Sequence, residues 1–309
     1  MGQVAKSDAT AYGGGSVTSN GTWPNGSSVA VMITVAFEVW SPGHWPVYAP
    51  MAASWPLGGS AQDAHSVSWS QYGANVGVER LLDILQPRPF KATFPTSALA
   101  AEVAPDTVRA IASAGHEIAA HSLSQDVMMP LLSAEDELEV IERSAVALEE
   151  IAGVRPTGWL SPRATASPRT AELLARSGYV WSGDYNDADL PQRIDTPHGP
   201  LVSIMHSDIT DVRAAATGPA VIRDTQCNAL DYLLSTGRQE ILNLTVHAHV
   251  SGRPYMAAVF KSLLDHVESH GDRVWVATHA DVAQWTLQQA GSSETKTSQK
   301  ATNTERSHP

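Results

Sequence analysis

A chain of 309 residues that is 43% hydrophobic can bury one large core, and its single cysteine, Cys227, excludes an internal disulfide and any cysteine-based zinc site. A formal charge of −12 argues against nucleic acid and acidic polymers as partners, since both would be repelled, and says only what the ligand is not. No apolar run reaches the length of a membrane span and no signal-peptide core precedes the first apolar segment, so the expected compartment is cytoplasmic with no membrane partner.

Residues 1–28 are rich in Gly, Ser, Thr and Asn and read as a flexible polar leader. Val29 to Phe37 is an apolar run of strand length. The insert from Val39 to Tyr72 holds four of the nine tryptophans, Trp40, Trp45, Trp55 and Trp69. Prolines and glycines interrupt it, which predicts a long loop that either walls a pocket or anchors itself by its aromatics. Val76 to Leu85 carries Val78, Leu81, Leu82 and Leu85 on one helical face. Phe90 to Phe94 reads as a strand, Pro105 to Ala114 as a helix closed by Gly115, and Glu117 to Ala120 as a strand. Ser133 caps the longest helix, with acids in its first turn. Thr157 to Leu160 precedes a helix opened by Ser167 and Pro168, and Tyr179 to Ser182 follows it. Further strands are expected near Leu201 to Met205, Ile241 to Val246 and Val274 to Ala277. Helices are expected near Ala220 to Leu234, Tyr255 to Ser269 and Ala280 to Ala290. Alternating strands and helices imply parallel pairing with right-handed crossovers, hence an α/β fold of seven or eight units. The tail, residues 291–309, is polar and aperiodic and is expected to be disordered.

Five segments resemble the motifs of the polysaccharide deacetylase superfamily, in the right order over roughly residues 29–290. They are Thr34-Val35-Ala36-Phe37-Glu38-Val39, Gly115-His116-Glu117-Ile118-Ala119-Ala120-His121-Ser122-Leu123-Ser124-Gln125, Gly158-Trp159-Leu160-Ser161-Pro162-Arg163, the acidic run Ser182 to Pro191, and Val246-His247-Ala248-His249-Val250-Ser251-Gly252-Arg253-Pro254. The last resembles the version found in the allantoinase and cyclic-imidase branch. The resemblance implies one distorted (β/α) barrel, complete or incomplete, over residues 29–290, with catalytic groups at the C-terminal ends of its strands. It also implies Glu38 as catalytic base, Arg163 as the brace of the catalytic acid and His247 as general acid. Val39 and Gln125 stand where the superfamily carries a second acid and a second histidine, its metal ligands beside His121.

The residues themselves support part of this and leave part open. Glu38 ends an apolar strand, where a carboxylate is costly unless paired; Arg163 is the expected partner, and a structural buried ion pair is the alternative. His121 reads as an oxyanion donor, a ligand or a satisfied core histidine. His247 and His249 alternate, so one serves as acid and the other as substrate contact or loop filler. Asp189, or less directly Asp187, is expected to hold the second ring nitrogen of the acid histidine. Trp40, Trp45, Gln125, Asp189 and His249 complete the expected substrate-binding set. With Val39 and Gln125 at two of three ligand positions, no metal cofactor is expected; a divalent ion at His121, rescued by His44, His65, His206 or His249, is the alternative. The expected activity is metal-independent hydrolysis of a carbon–nitrogen bond in a small cyclic amide, imide or ureide. Its rivals are a metal-dependent deacetylase of an N- or O-acetylated substrate and a non-catalytic binding protein on the same barrel. Related barrels assemble into dimers or tetramers, but no homo-oligomer interface is legible.

Overall fold

The structure is a computed structural model that describes residues 21–49, 62–207, 209–214 and 218–290. Its frame is one nine-stranded sheet: β1 (Val29–Ala36), β2 (Thr93–Thr96), β3 (Glu117–Ala120), β4 (Gly158–Trp159), β5 (Trp181–Ser182), β6 (Gln192–Thr196), β7 (Gly199–Ser203), β8 (Glu240–His247) and β9 (Val274–Ala277). The strand order is β6-β7-β5-β4-β3-β2-β1-β8, with β9 also on β1. Every pairing is parallel except the β6–β7 hairpin. The sheet curls without closing, because β8 and β6 end it on opposite sides and do not pair.

β1 is the central strand because it is apolar on both faces, and all eight of its residues are buried. β8 pairs with it over the full length, from Val29↔Glu240 to Ala36↔His247. β9 takes up residues 29–32 along β1, and β2 meets it at Thr34. The strand's alternation sets the site. Ile33, Val35 and Phe37 point into the outer core with Val78, Leu81 and Ile141, whereas Ala30 and Met32 join a separate cluster with Trp181 and Ile204. Glu38 continues this second row past Thr34 and Ala36, and Val39 packs on the outer core.

Helix starts follow their caps. Ser133 Oγ accepts from Asp136 N to open Ala134–Ala152, which ends at Gly153 with φ 72°. The strands Glu117–Ala120 and Val274–Ala277 lie where the apolar runs predict them, and the helices Pro219–Thr236 and Pro254–Ser269 differ from expectation only at their ends. Four regions depart from it, the unexpected edge strand β6 (Gln192–Thr196) among them. The insert is not all loop: Asp63 accepts from His65 N and Ser66 N and caps a helix, Ala64–Tyr72, which runs through a π-helical turn, Gly73–Gly77, into Val78–Leu85. Ser97 caps an unpredicted helix, Ala98–Val103. The leader ends before residue 28, since Trp23 is buried against Trp275 and Trp285 and its indole donates to Glu240 O. Trp55, the rest of the leader through residue 20 and the tail 291–309 lie outside the described residues. No helix among the described residues is long and apolar enough to cross a membrane.

Candidate active site

The strands' C-terminal ends deliver the polar residues to one cavity of 330 Å³, lined by Glu38, Tyr48, His121, Arg163, His206 and His247 among others. Glu38 follows β1, His121 follows β3, Arg163 follows β4, His206 follows β7 and His247 is the last residue of β8. Two of these segments carry backbone strain in non-glycine residues: Ser122 sits at φ 63°, Arg163 at φ 59° and Ala164 at φ 52°.

Glu38 is surrounded by three imidazoles. His121 Nε2 lies 3.3 Å and His247 Nε2 3.8 Å from its Oε1, and His249 Nδ1 lies 3.7 Å from its Oε2. Burial alone raises the pKa of Glu38, but His247, the His121 hydrogen bond and His249 outweigh it and bring it down to about 2. His247 is anchored by Asp211. Its Nδ1 donates to Asp211 Oδ1 at 2.6 Å, while Asp211 Oδ2 accepts from His247 N at 2.8 Å and from Ser251 Oγ at 2.6 Å. Burial works against charge on His247, yet the Asp211 and Glu38 carboxylates prevail and lift its pKa to about 9. The cavity therefore holds an ionised carboxylate beside an imidazolium whose Nε2 is the free donor.

His121 Nδ1 faces Leu160 O at 2.5 Å and Nε2 faces Glu38. Both partners only accept, so both contacts are hydrogen bonds when the ring carries both protons. His249 is fully buried among Trp40, Tyr48 and Trp69, with its Nε2 3.2 Å from Tyr48 OH. Burial holds its pKa down to about 4, so it stands neutral behind Glu38.

Several expected roles change hands. Arg163 lines the cavity but forms no ion pair with Glu38; His121 holds the carboxylate instead. Asp187 and Asp189 are exposed, and Asp211 takes the place foreseen for Asp189 on His247. Within the acidic run it is Asp184 that acts, accepting from Ser161 N and Oγ and so fixing the turn before Arg163. Gln125 is buried away from the cavity lining, and its backbone N–H donates to Val39 O. His249 packs behind Glu38 rather than lining the cavity, because β8 stops at His247 and Ala248–Ser251 turns into a helix. Trp40 meets His249 at right angles and lines a different cavity, and Trp45 lines neither. Tyr48 and Asp211 were not singled out by sequence reasoning. Asp211 sits at the start of a four-residue helix with no periodic signal to mark it.

The three positions at which the resemblance puts metal ligands fit an ion poorly. Val39 offers an alkyl group turned to the outer core, and Gln125 offers a buried amide whose Nε2 has no partner. Only His121 supplies a good donor there, against the three protein ligands that a hydrolytic zinc commonly takes.

Residues 69–181 match the polysaccharide deacetylase family model, a span that includes His121 and Arg163 but not Glu38 or His247. A probable polysaccharide deacetylase from Pseudomonas aeruginosa superposes with a TM-score of 0.77 at 26% identity, over 85% of this chain and 92% of that one. The fold is that of the polysaccharide deacetylases. The allantoinase Puue matches equally well, with a TM-score of 0.77 and 25% identity over 85% of this chain and 91% of its own. A peptidoglycan deacetylase from Helicobacter pylori is 21% identical over 71% of this chain and 86% of that protein.

Proposed function

We propose that this polysaccharide deacetylase-like chain hydrolyses a carbon–nitrogen bond in a small cyclic amide, imide or ureide without a catalytic metal. The observation that carries the reading is the pairing in one cavity of Glu38, held at about 2, with His247, held at about 9, while Val39 and Gln125, outside its lining, stand at two of the three positions the resemblance gives to metal ligands. The two carry opposite charges at neutral pH and are coupled: His247 is the largest of the influences that keep Glu38 deprotonated. As His247 gives its Nε2 proton to the leaving nitrogen, that influence disappears and Glu38 becomes basic enough to take a proton from water. The water oxygen bonds to the carbonyl carbon, the carbon–nitrogen bond breaks, and the proton on Glu38 returns to His247. Arg163 faces the substrate and compensates charge growing on the carbonyl oxygen, while His121 keeps Glu38 in place. Electron-poor or strained rings need less carbonyl activation than an ordinary acetamide, which is compatible with hydrolysis without a Lewis acid. The 330 Å³ cavity suits a small ring. The likeness to an allantoinase, a name that denotes action on the cyclic ureide allantoin, supports the same class.

The second reading, a metal-dependent deacetylase, is favoured by the family match and by the peptidoglycan deacetylase relative. The experiment that separates them assays chelator-stripped and zinc-supplemented protein on cyclic amides, imides, ureides and acetylated sugars. Ring opening by the stripped protein, indifferent to added chelator, is the expected result. Deacetylation that appears only with zinc would transfer the site to the second reading.

A further inference from the structure

Outside the barrel, the helices Pro219–Thr236 and Pro254–Ser269 pack side by side. The first contributes Asp231. The second contributes His266, and His270 caps its C-terminal end four residues later. Asp231 Oδ1 lies 3.1 Å from His266 Nε2 and 3.2 Å from His270 Nε2, and the two imidazole nitrogens are 3.2 Å apart. This triangle is nearly equilateral. Zinc bonds of about 2.0–2.1 Å in tetrahedral geometry set donor atoms about 3.3 Å apart, so the three atoms form one face of such a polyhedron. Among the described residues, this is the one group of three His, Cys, Asp or Glu donors that converges so closely.

Hydrogen bonding alone cannot satisfy the arrangement. The carboxylate oxygen only accepts, so each imidazole must carry its proton on Nε2 to bond with it. The two N–H groups then face each other across 3.2 Å. Removing either proton relieves that contact but turns a lone pair toward the carboxylate. A cation among the three atoms accepts all three lone pairs at once. The site is also reachable, with side-chain exposures of 53% for Asp231, 25% for His266 and 10% for His270.

We propose that Asp231, His266 and His270 form a site for a divalent transition metal, zinc in the first instance, that clips the two helices together. The donor set of two imidazoles and one carboxylate suits that class of ion, and water completes its coordination. Arg273 opposes it. Its guanidinium donates to His270 Nδ1 at 2.5 Å, the nitrogen that must hold the proton once Nε2 binds a metal. The exposed arginine therefore has to swing aside, and it sets the affinity.

The test titrates zinc chloride into untagged, chelator-stripped, full-length protein near neutral pH, following binding by calorimetry and the melting temperature by circular dichroism. One zinc per chain and a rise in melting temperature are expected. His270→Ala and Asp231→Asn should each weaken binding at least tenfold and abolish the rise, while hydrolytic turnover stays unchanged. Arg273→Ala should tighten binding, an outcome that damage to the fold would not produce. No zinc uptake by the parent protein, or undiminished affinity in both His270→Ala and Asp231→Asn, would overturn the proposal.

Discussion

Asp211 grips His247 by ring and by backbone, so its charge decides how long the imidazole stays an acid. Activity that depends on protonated His247 should be lost as pH rises through about 9. Asp211→Asn removes an attraction that raises that pKa. The alkaline limb of kcat/KM should then move down by on the order of one pH unit or more, read directly from the pH profile. Glu38→Gln keeps the shape of the side chain but removes its proton-accepting power. Turnover should fall by on the order of 10²–10⁴ with an unchanged circular dichroism spectrum. A loss below tenfold would place the base elsewhere. Much of this site was readable from strand-end motifs, which brought Glu38, His121, Arg163 and His247 to one cavity. The partners were not. Asp211 reaches His247 from 36 residues away through a loop without pattern, and the choice of His121 over Arg163 beside Glu38 depends on side-chain directions that spacing does not encode.

His249 is placed by the packing of one short element on another. The turn Ala248–Ser251 lies against the π-helical turn Gly73–Gly77, where a Cβ on Gly77 would collide with Ala248 O and one on Gly73 would stand 3.0 Å from His249 N. Gly77→Ala should therefore cost about 1–3 kcal/mol in urea unfolding and, by shifting His249 and its neighbour His247, also lower kcat in the folded fraction. A stability loss with intact kcat would show that the turn only packs. Here the sequence spoke for the helix Val78–Leu85, whose apolar face is regular, but not for its extension backwards. Ala64–Tyr72 buries only Ser66 and Ser70 fully, so its periodicity is weak, and its start depends on the single cap at Asp63. β6 escaped for a related reason: it is a half-exposed edge without an apolar run, whereas its partner β7 overlaps the strand expected near Leu201.

Stability against pH follows from which groups the fold holds off their ordinary pKa. His116, His249 and His279 are buried and held at about 4, 4 and 3. Each binds its proton more readily when unfolded, so each costs stability as pH falls below 6.5, by up to about 1.4 kcal/mol per pH unit. His247 has the opposite sign: its contribution is complete below 6.5 and fades as pH rises toward about 9. Glu38 contributes above its ordinary 4.5 and loses that only as pH falls toward about 2. The urea midpoint should peak near pH 6.5 and decline on both sides; a flat profile between pH 4 and 6.5 would contradict the neutral burial of the three histidines. The high-pH decline has a particular seat. Where the curled sheet fails to meet itself, Asn243 Nδ2 donates to Met205 O at 3.3 Å, and Asp211, on the stretch after β7, reaches across to His247 and Ser251 at the end of β8. The charge that His247 carries thus also tightens the open seam of the cylinder, since its Nδ1–H bond to Asp211 is strongest while the ring is an imidazolium. Alkaline titration should loosen that seam first, seen as amide exchange quickening in β7 and residues 204–207 while β1–β3 stay protected, so the molecule loses its acid and slackens its wall over the same pH range.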